Sequence, residues 1–254
     1  MARNLWTREE TIVAFNVYCK IPFKNSSSRH PMIIKFANII GRSPSALNMK
    51  IGNFGRLDPE LRKRGIVGLG NGSRLEKTIW DEFHGNWEKL AYESELLIAQ
   101  FQNKAVNKSS EVDLSNIPVG IERETVVKRR VNQQFFRSTV LSSYQHKCCI
   151  TGLSIPKLLI ASHIIPWSQN KAERLNPRNG LCLNAIHDKA FDQGLLTISP
   201  DYKVILSPIL LENQDEVATE NFFIRYANQS IALPEKFTPH PDFLAYHYTH
   251  IFKR

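Results

Sequence analysis

The sequence predicts an α+β protein with a helical N-terminal domain and a C-terminal domain that mixes short strands with helices. Helix-capping residues and apolar positions at helical spacing recur through the first hundred residues. Short apolar runs bounded by proline and glycine predict strands between residues 158 and 206. A polar stretch separates the two regions. We therefore expect domains at 1–101 and 121–254 joined by a linker at 102–120, although 254 residues also fit one large domain.

Two helices are predicted before residue 41. Thr7-Arg8-Glu9-Glu10 is a capping-box pattern that begins a helix running to about Cys19, and Trp6 precedes it as a candidate hydrophobic staple. A serine-rich loop follows, and Pro31 begins the second helix. The apolar side of that helix consists of Ile33, Ile34, Ala37 and Ile40.

A third helix completes a helix-turn-helix pattern. Gly41 and Arg42 form the turn, and Ser43-Pro44 supplies an N-cap and a first-turn proline for a helix to about Phe54. We expect Asn48 and Lys50 on its exposed side, where Asn can bind adenine and Lys can reach guanine or phosphate. With Arg42 they are the candidate DNA contacts of this domain. The alternative is a helical packing or dimerisation domain. A further single helix is expected from about Arg74 to Glu95.

After the linker, residues 122–144 are predicted to form a helix with an apolar and a basic side. The apolar side comprises Val127, Val131, Phe135 and Leu141. The basic side comprises Lys128, Arg129, Arg130 and Arg137, which we expect to grip a phosphate backbone. An ordinary solvated helix face is the alternative.

The distribution of charge favours a nucleic-acid partner. The net charge is +9, and residues 118–190 contain 11 basic against 4 acidic residues. Residues 191–254 contain 5 basic against 8 acidic residues. Positive charge concentrated on part of a chain is what phosphate binding requires, although basic surfaces also serve solubility.

The candidate chemistry lies at residues 158–194. Leu158 to His163 is predicted to be a buried strand with His163 at its polar exit, and Pro166 ends the pairing. A helix from about His187 to Asp192 follows the apolar run at 181–183, and Gly194 ends it. Asp188, four residues before Asp192, shares its face. An imidazole suits proton transfer near neutral pH, and carboxylates suit a hard divalent cation. The alternative is a core histidine beside a solvated acidic face.

The order of three segments resembles that of the HNH nucleases, which have a ββα-metal core. The segments are Ser162-His163-Ile164-Ile165-Pro166-Trp167, Asn179-Gly180-Leu181 and His187 to Asp192. The resemblance implies that His163 is the general base and that Asn179 braces the metal loop and orients the base. It implies that Asp188 is the distal metal ligand, with Asp192 one turn further on. His187, the neighbour of Asp188, is a further candidate catalytic residue. Many family members have Asp or His where Ser162 stands, so this chain departs from the pattern at a ligand position. Because serine is a weak ligand, either the metal is held by fewer protein groups together with water, or the ligand set includes His187.

The implied cofactor is one divalent metal ion, with Mg²⁺ expected and Mn²⁺ or another transition metal as alternatives. No structural zinc is expected, because the four cysteines (Cys19, Cys148, Cys149 and Cys182) form no Cys-x-x-Cys pair. We expect them to be buried thiols rather than a disulfide framework. His240, His247 and His250 lack ligand spacing and are expected to pack or lie at the surface.

Over its whole length the chain resembles the McrA-like bacterial restriction endonucleases, which pair a DNA-reading domain with an HNH domain. The resemblance implies a metal-dependent enzyme that cuts double-stranded DNA, acts as a homodimer and works in the bacterial cytoplasm. Some relatives cut only DNA with modified cytosines, and that dependence stays open here. Two alternatives remain: a nuclease toxin without sequence choice, and a non-catalytic DNA-binding protein with a degenerate core. No signal peptide or membrane-spanning run is visible.

Overall fold

The computed structural model describes residues 5–66, 72–110 and 122–254, and it confirms the α+β class. The chain divides into two compact units, Met1–Thr139 and Val140–Arg254. Among the described residues, no helix is long and apolar enough to cross a bilayer.

The first unit is helical. Its elements are α1 (Arg8–Lys20), α2 (Pro31–Ile39), α3 (Pro44–Leu57), α4 (Pro59–Lys63), α5 (Arg74–Phe83), α6 (Trp87–Phe101), α7 (Val106–Ser109) and most of α8 (Arg123–Ser143). Helix α1 is its centre, because it packs against α2, α3, α5 and α6 and is buried along almost its whole length. Phe15 stacks on Phe54 with ring centroids 4.7 Å apart, which fixes α1 against α3.

Local capping signals define the first three helices as the sequence predicts. The Thr7 hydroxyl accepts from the Glu10 amide and the Glu10 carboxylate accepts from the Thr7 amide, so the capping box is formed. Ser43 caps α3 through the Ala46 amide, with Pro44 in the first turn. Gly41 has a φ of 67°, a left-handed conformation that glycine adopts without strain in the α2–α3 turn.

The expectation of a single helix from Arg74 to Glu95 is wrong. The chain breaks between α5 and α6, where Gly85 has a φ of 92°. His84 ends α5 and stacks on Trp80 with ring centroids 4.4 Å apart. The break lets α5 and α6 each place an apolar side against α1.

Helix α8 crosses the boundary between the two units, so the observed division differs from the expected linker at 102–120. Residues 111–120 of that predicted linker lie outside the described residues. Side chains that precede and follow this predicted linker are nevertheless in contact. The Lys128 ammonium lies 3.0 Å from the Glu88 carboxylate, and the Tyr92 hydroxyl donates to Glu124 at 3.3 Å. The first part of α8 therefore belongs to the helical unit.

The second unit contains two antiparallel hairpins and the remaining helices. Strand β1 (Leu159–His163) pairs with β2 (Gly180–Asn184), and β3 (Leu196–Ile198) pairs with β4 (Val204–Leu206). Helix α9 (Ala185–Asp192) follows β2 without a break and packs on β1 and β2. The later helices are α10 (Pro208–Glu212), α11 (Val217–Phe222) and α12 (Pro241–His250).

Helix α12 covers the end of α9. The ring of His247 stacks on Phe191 with centroids 3.6 Å apart and is bonded to the Thr197 hydroxyl at 2.9 Å and the Phe191 carbonyl at 3.2 Å. Burial lowers the pKa of His247 to about 4, against the hydrogen bond to the Phe191 carbonyl, which favours the protonated ring. His247 is therefore a packed, neutral histidine, as the sequence predicts.

Candidate active site

The site is built on a ββα unit of β1, β2 and α9. In the antiparallel register, Ser162 lies opposite Leu181 and His163 opposite Gly180. The Asn184 carboxamide oxygen accepts from the amides of Ile186 and His187, so α9 begins at the last residue of β2. This direct connection fixes α9 against the strand that ends in His163.

His163 is half-buried and has a defined tautomer. Its Nε2 lies 2.9 Å from the Arg174 carbonyl oxygen, and because a carbonyl only accepts, Nε2 carries the proton. In the neutral ring the lone pair is then on Nδ1. The Trp167 ring meets the imidazole edge-on with centroids 5.4 Å apart. Burial lowers the pKa of His163, with the hydrogen bond to Arg174 opposing the shift, which favours the unprotonated form near neutral pH.

Asn179 holds the loop between β1 and β2. Its side chain is 1% exposed, and its carboxamide oxygen accepts from the Ile165 amide at 2.8 Å. Its NH₂ group donates to the carbonyls of Ile165 and Glu173, each at 3.2 Å. All three of these side-chain hydrogen bonds are with backbone of the loop after β1, so Asn179 positions that loop.

Two carboxylates and a buried hydroxyl lie along α9 and β1. Burial raises the pKa of Asp188, while a hydrogen bond from Ser162 and the charge of Lys189 lower it. Desolvation and then repulsion from Asp188 raise the pKa of Asp192, which Lys189 opposes. The Ser162 hydroxyl is buried and, within the described part of the chain, no partner satisfies its full hydrogen-bonding geometry. The two carboxylates thus form an acidic patch next to the under-bonded Ser162 oxygen.

This donor set fits Mg²⁺ better than a transition metal. The groups are hard oxygens, and Mg²⁺ is commonly held by one or two carboxylates together with water and substrate phosphate. A cation would also relieve the desolvation and repulsion that raise both pKa values. Across the described residues, no three His, Cys, Asp or Glu side chains come together as a complete metal cage. Any ion here would therefore keep several water or substrate ligands.

His187, a candidate catalytic residue in the sequence, is buried and hydrogen-bonded within the second unit. Its ring is 1% exposed, and Nε2 donates to the Phe222 carbonyl oxygen at 2.6 Å. Nδ1 lies 3.2 Å from the Asn184 NH₂ group, and the rings of Phe223 and Tyr226 pack on the imidazole. His187 faces the interior, whereas Asp188, the next residue, stays partly open.

A polar cluster that the sequence analysis missed explains this burial. The Asn184 NH₂ group reaches the Cys148 sulfur at 3.8 Å and the Thr151 hydroxyl at 3.5 Å, as well as His187. Burial would raise the pKa of Cys148, but hydrogen bonding with the His187 and Thr151 side chains and with the backbone of Thr151 and Ile150 lowers it to about 7. The sequence signal for this cluster is a shared spacing, because Cys148 and Thr151 are three residues apart and so are Asn184 and His187. All four cysteines are buried thiols, as expected.

The candidate DNA contacts of the helical unit are engaged within it. The expectation that Lys50 is exposed is wrong, because it is 6% exposed and ion-paired with the fully buried Glu76. The Asn48 carboxamide oxygen accepts from Ser26 at 2.6 Å. Arg42 is bound to the Glu10 carboxylate at 2.7 Å and its guanidinium lies over Trp6. A lysine and an arginine held in buried or nearly buried ion pairs are poorly placed to reach DNA.

Helix α8 retains exposed basic residues. Val127, Val131, Phe135 and Leu141 are buried, so its apolar side is the predicted one. Arg129 and Arg137 are exposed, Arg130 is half-buried, and Lys128 is exposed but paired with Glu88.

Comparison with known families agrees with the ββα geometry. Residues 148–199 match the model of the HNH endonuclease family, a segment that contains β1, β2, α9 and β3. The match supports an HNH nuclease domain in the second unit and covers about a fifth of the chain. No curated protein is significantly similar to the chain.

Proposed function

We propose that this protein is a metal-dependent DNA endonuclease in which His163 is the general base. The observation that carries the proposal is the hydrogen bond from His163 Nε2 to the Arg174 carbonyl, because it leaves Nδ1 as the proton acceptor at the end of β1. The HNH family match over the same ββα unit gives the reaction class, hydrolysis of a phosphodiester bond.

In this mechanism the chain orients and deprotonates the attacking water. His163 Nδ1 takes the proton, and the lowered pKa keeps the imidazole unprotonated near neutral pH. Asn179 holds the loop that carries the Arg174 carbonyl, and so maintains the tautomer. Asp188 and Asp192 would hold the divalent ion, with the Ser162 hydroxyl beside them. When bound, Mg²⁺ supplies charge neutralisation at the scissile phosphate and the leaving 3′ oxygen.

The biological role that we propose is restriction or defence in the bacterial cytoplasm, on double-stranded DNA and as a homodimer. Two copies would let a site with one metal ion cut both strands of a palindrome. Whether cleavage depends on modified cytosine is decided by the same experiment that tests this proposal. Arg129, Arg130, Arg137 and Lys128 are the phosphate contacts that we assign to α8.

A second candidate is a nuclease with little sequence choice. The inward engagement of Arg42, Asn48 and Lys50 favours it, because these were the residues expected to read bases. A protein without a base-reading surface would cut wherever phosphate contacts allow.

Digestion of plasmid DNA separates these candidates. Methylated and unmethylated plasmids are incubated with the full chain in Mg²⁺, Mn²⁺ or EDTA. Discrete fragments in metal and none in EDTA support a restriction enzyme, and cleavage of one plasmid alone assigns modification dependence. A smear from both plasmids supports the second candidate. Intact DNA under every condition contradicts the nuclease assignment.

A further inference from the structure

In the loop between β1 and β2, His163, Trp167 and Arg174 contact one another. The mechanism above uses the backbone carbonyl of Arg174 but not its side chain. The Arg174 backbone accepts from His163, while its side chain turns back along the loop. The Arg174 Nε donates to the Trp167 carbonyl oxygen at 2.6 Å. Its guanidinium carbon lies 5.2 Å from the centroid of the Trp167 ring. The same ring meets the His163 imidazole edge-on.

We propose that the Arg174 side chain is a positioning residue that holds His163 in its proton-accepting orientation by clamping Trp167. This inference rests on the proposed function of His163. The Arg174 side chain acts through Trp167, to which it is hydrogen-bonded and over which its guanidinium lies. It closes the loop from residue 167 to residue 174, so the carbonyl that fixes the imidazole and the ring that packs on it move together.

Two features of arginine make the clamp specific. A planar guanidinium stacks on an indole and at the same time donates in its own plane, which a lysine ammonium cannot reproduce. Arg174 is also only half-buried, and in the described part of the chain no acidic side chain pairs with it. The contacts of the Arg174 side chain therefore indicate that it orients Trp167 rather than neutralises a carboxylate.

Loss of the clamp should act on kcat and not on KM. Arg174→Ala removes the donor and the guanidinium over the Trp167 ring while keeping the backbone carbonyl. Trp167 and that carbonyl are then no longer held together, so His163 should lose its single orientation. We expect kcat to fall about 10- to 100-fold with KM within about twofold, as for a displaced catalytic group. Arg174→Lys keeps the charge and should show the same loss. The matched control is Lys171→Ala, an exposed loop cation whose removal should leave kcat and KM at wild-type values.

Trp167 supplies an independent check. If Arg174 works through Trp167, Trp167→Ala should reduce kcat similarly, and the double variant should lose no more than the worse single variant. Multiplicative losses in the double variant would overturn the clamp. Rescue by Arg174→Lys, with a raised KM for Arg174→Ala, would also overturn it and assign Arg174 to phosphate contact instead.

The direct test needs no cleavage. Imidazole ¹⁵N spectra of the metal-free protein report which nitrogen of His163 carries the proton. The wild type should show one tautomer with the proton on Nε2, and Arg174→Ala and Arg174→Lys should show a mixture of tautomers. Circular dichroism checks that both variants are folded. An unchanged single tautomer in both variants would contradict the clamp even if the protein cuts DNA, and a mixture would support it even if the protein does not.

Discussion

Lys50 and Glu76 form an ion pair inside the helical unit, in which the α3 ammonium contacts the α5 carboxylate directly. Ser73 and Asn53 also donate to Glu76. Burial alone would raise the pKa of Glu76, but these hydrogen bonds outweigh it and hold the pKa below its ordinary value. The pair thus joins α5 to α3, which is the helix that was expected to read DNA.

The first prediction is that Lys50 contributes to stability and not to DNA affinity. Lys50→Met leaves Glu76 buried without its cation and should lower the free energy of unfolding by about 3–5 kcal/mol. Lys50→Met together with Glu76→Leu should recover most of that loss. Urea unfolding measures both variants. In DNA-binding titrations the folded double variant should match the wild type, whereas Arg129→Ala should weaken binding and reduce the salt slope by about 1. A stable Lys50→Met variant with weakened DNA binding would restore Lys50 as a DNA contact.

The second prediction concerns the carboxylates on α9. Asp188→Asn removes a charge that burial disfavours, so it should slightly raise Tm in EDTA. The Mg²⁺ concentration for half-maximal cleavage should rise at least about 10-fold, because even substitutions of residues that only support metal ligands lower metal affinity by that factor. Metal titration of the cleavage rate measures this shift. Asp215→Asn, which changes an exposed acid in the segment between α10 and α11, is the control and should leave both values unchanged. An unaltered Mg²⁺ titration for Asp188→Asn would remove Asp188 from the metal site.

The third prediction is a pH dependence of stability from His247. Its folded pKa of about 4 lies below the ordinary value of 6.5, so the unfolded state binds the proton more readily. The stability cost is therefore absent above pH 6.5, grows as the pH falls, and reaches about 3 kcal/mol near pH 4. Urea unfolding of the wild type and of His247→Gln between pH 4 and pH 8 isolates this contribution. The difference in unfolding free energy between them should change with pH in that window. A pH-independent difference would mean that His247 titrates normally.

The parts of the fold that sequence patterns predicted correctly are those determined by neighbouring residues. The Thr7–Glu10 box and the Ser43-Pro44 start are local hydrogen-bonding motifs, and both helices begin there. His163 at the end of its strand follows from an apolar run and the proline after it. Strands β3 and β4 likewise lie among the short apolar runs that predict strands between residues 158 and 206.

The features that the sequence could not predict involve partners that are distant in the sequence. Lys50 is buried because Glu76 meets it from another helix, and nothing in the α3 pattern contains that information. His187 is fixed by the carbonyl of Phe222, 35 residues later. The expected linker contains few apolar residues, yet Lys128 and Glu88 pair across it. Helical spacing predicts a face, but only the tertiary packing decides what covers that face.

Single-turnover cleavage of plasmid DNA determines whether His163 is the base of a metal-dependent nuclease. The wild type, His163→Ala and the exposed-histidine control His250→Ala are compared in Mg²⁺ and in EDTA. The wild type and His250→Ala should cut in Mg²⁺ alone, and His163→Ala should be slower by about 10²–10⁴-fold with DNA affinity unchanged. Cleavage by His163→Ala at the wild-type rate would show that His163 is not the base, and cleavage by the wild type in EDTA would show that the reaction needs no metal.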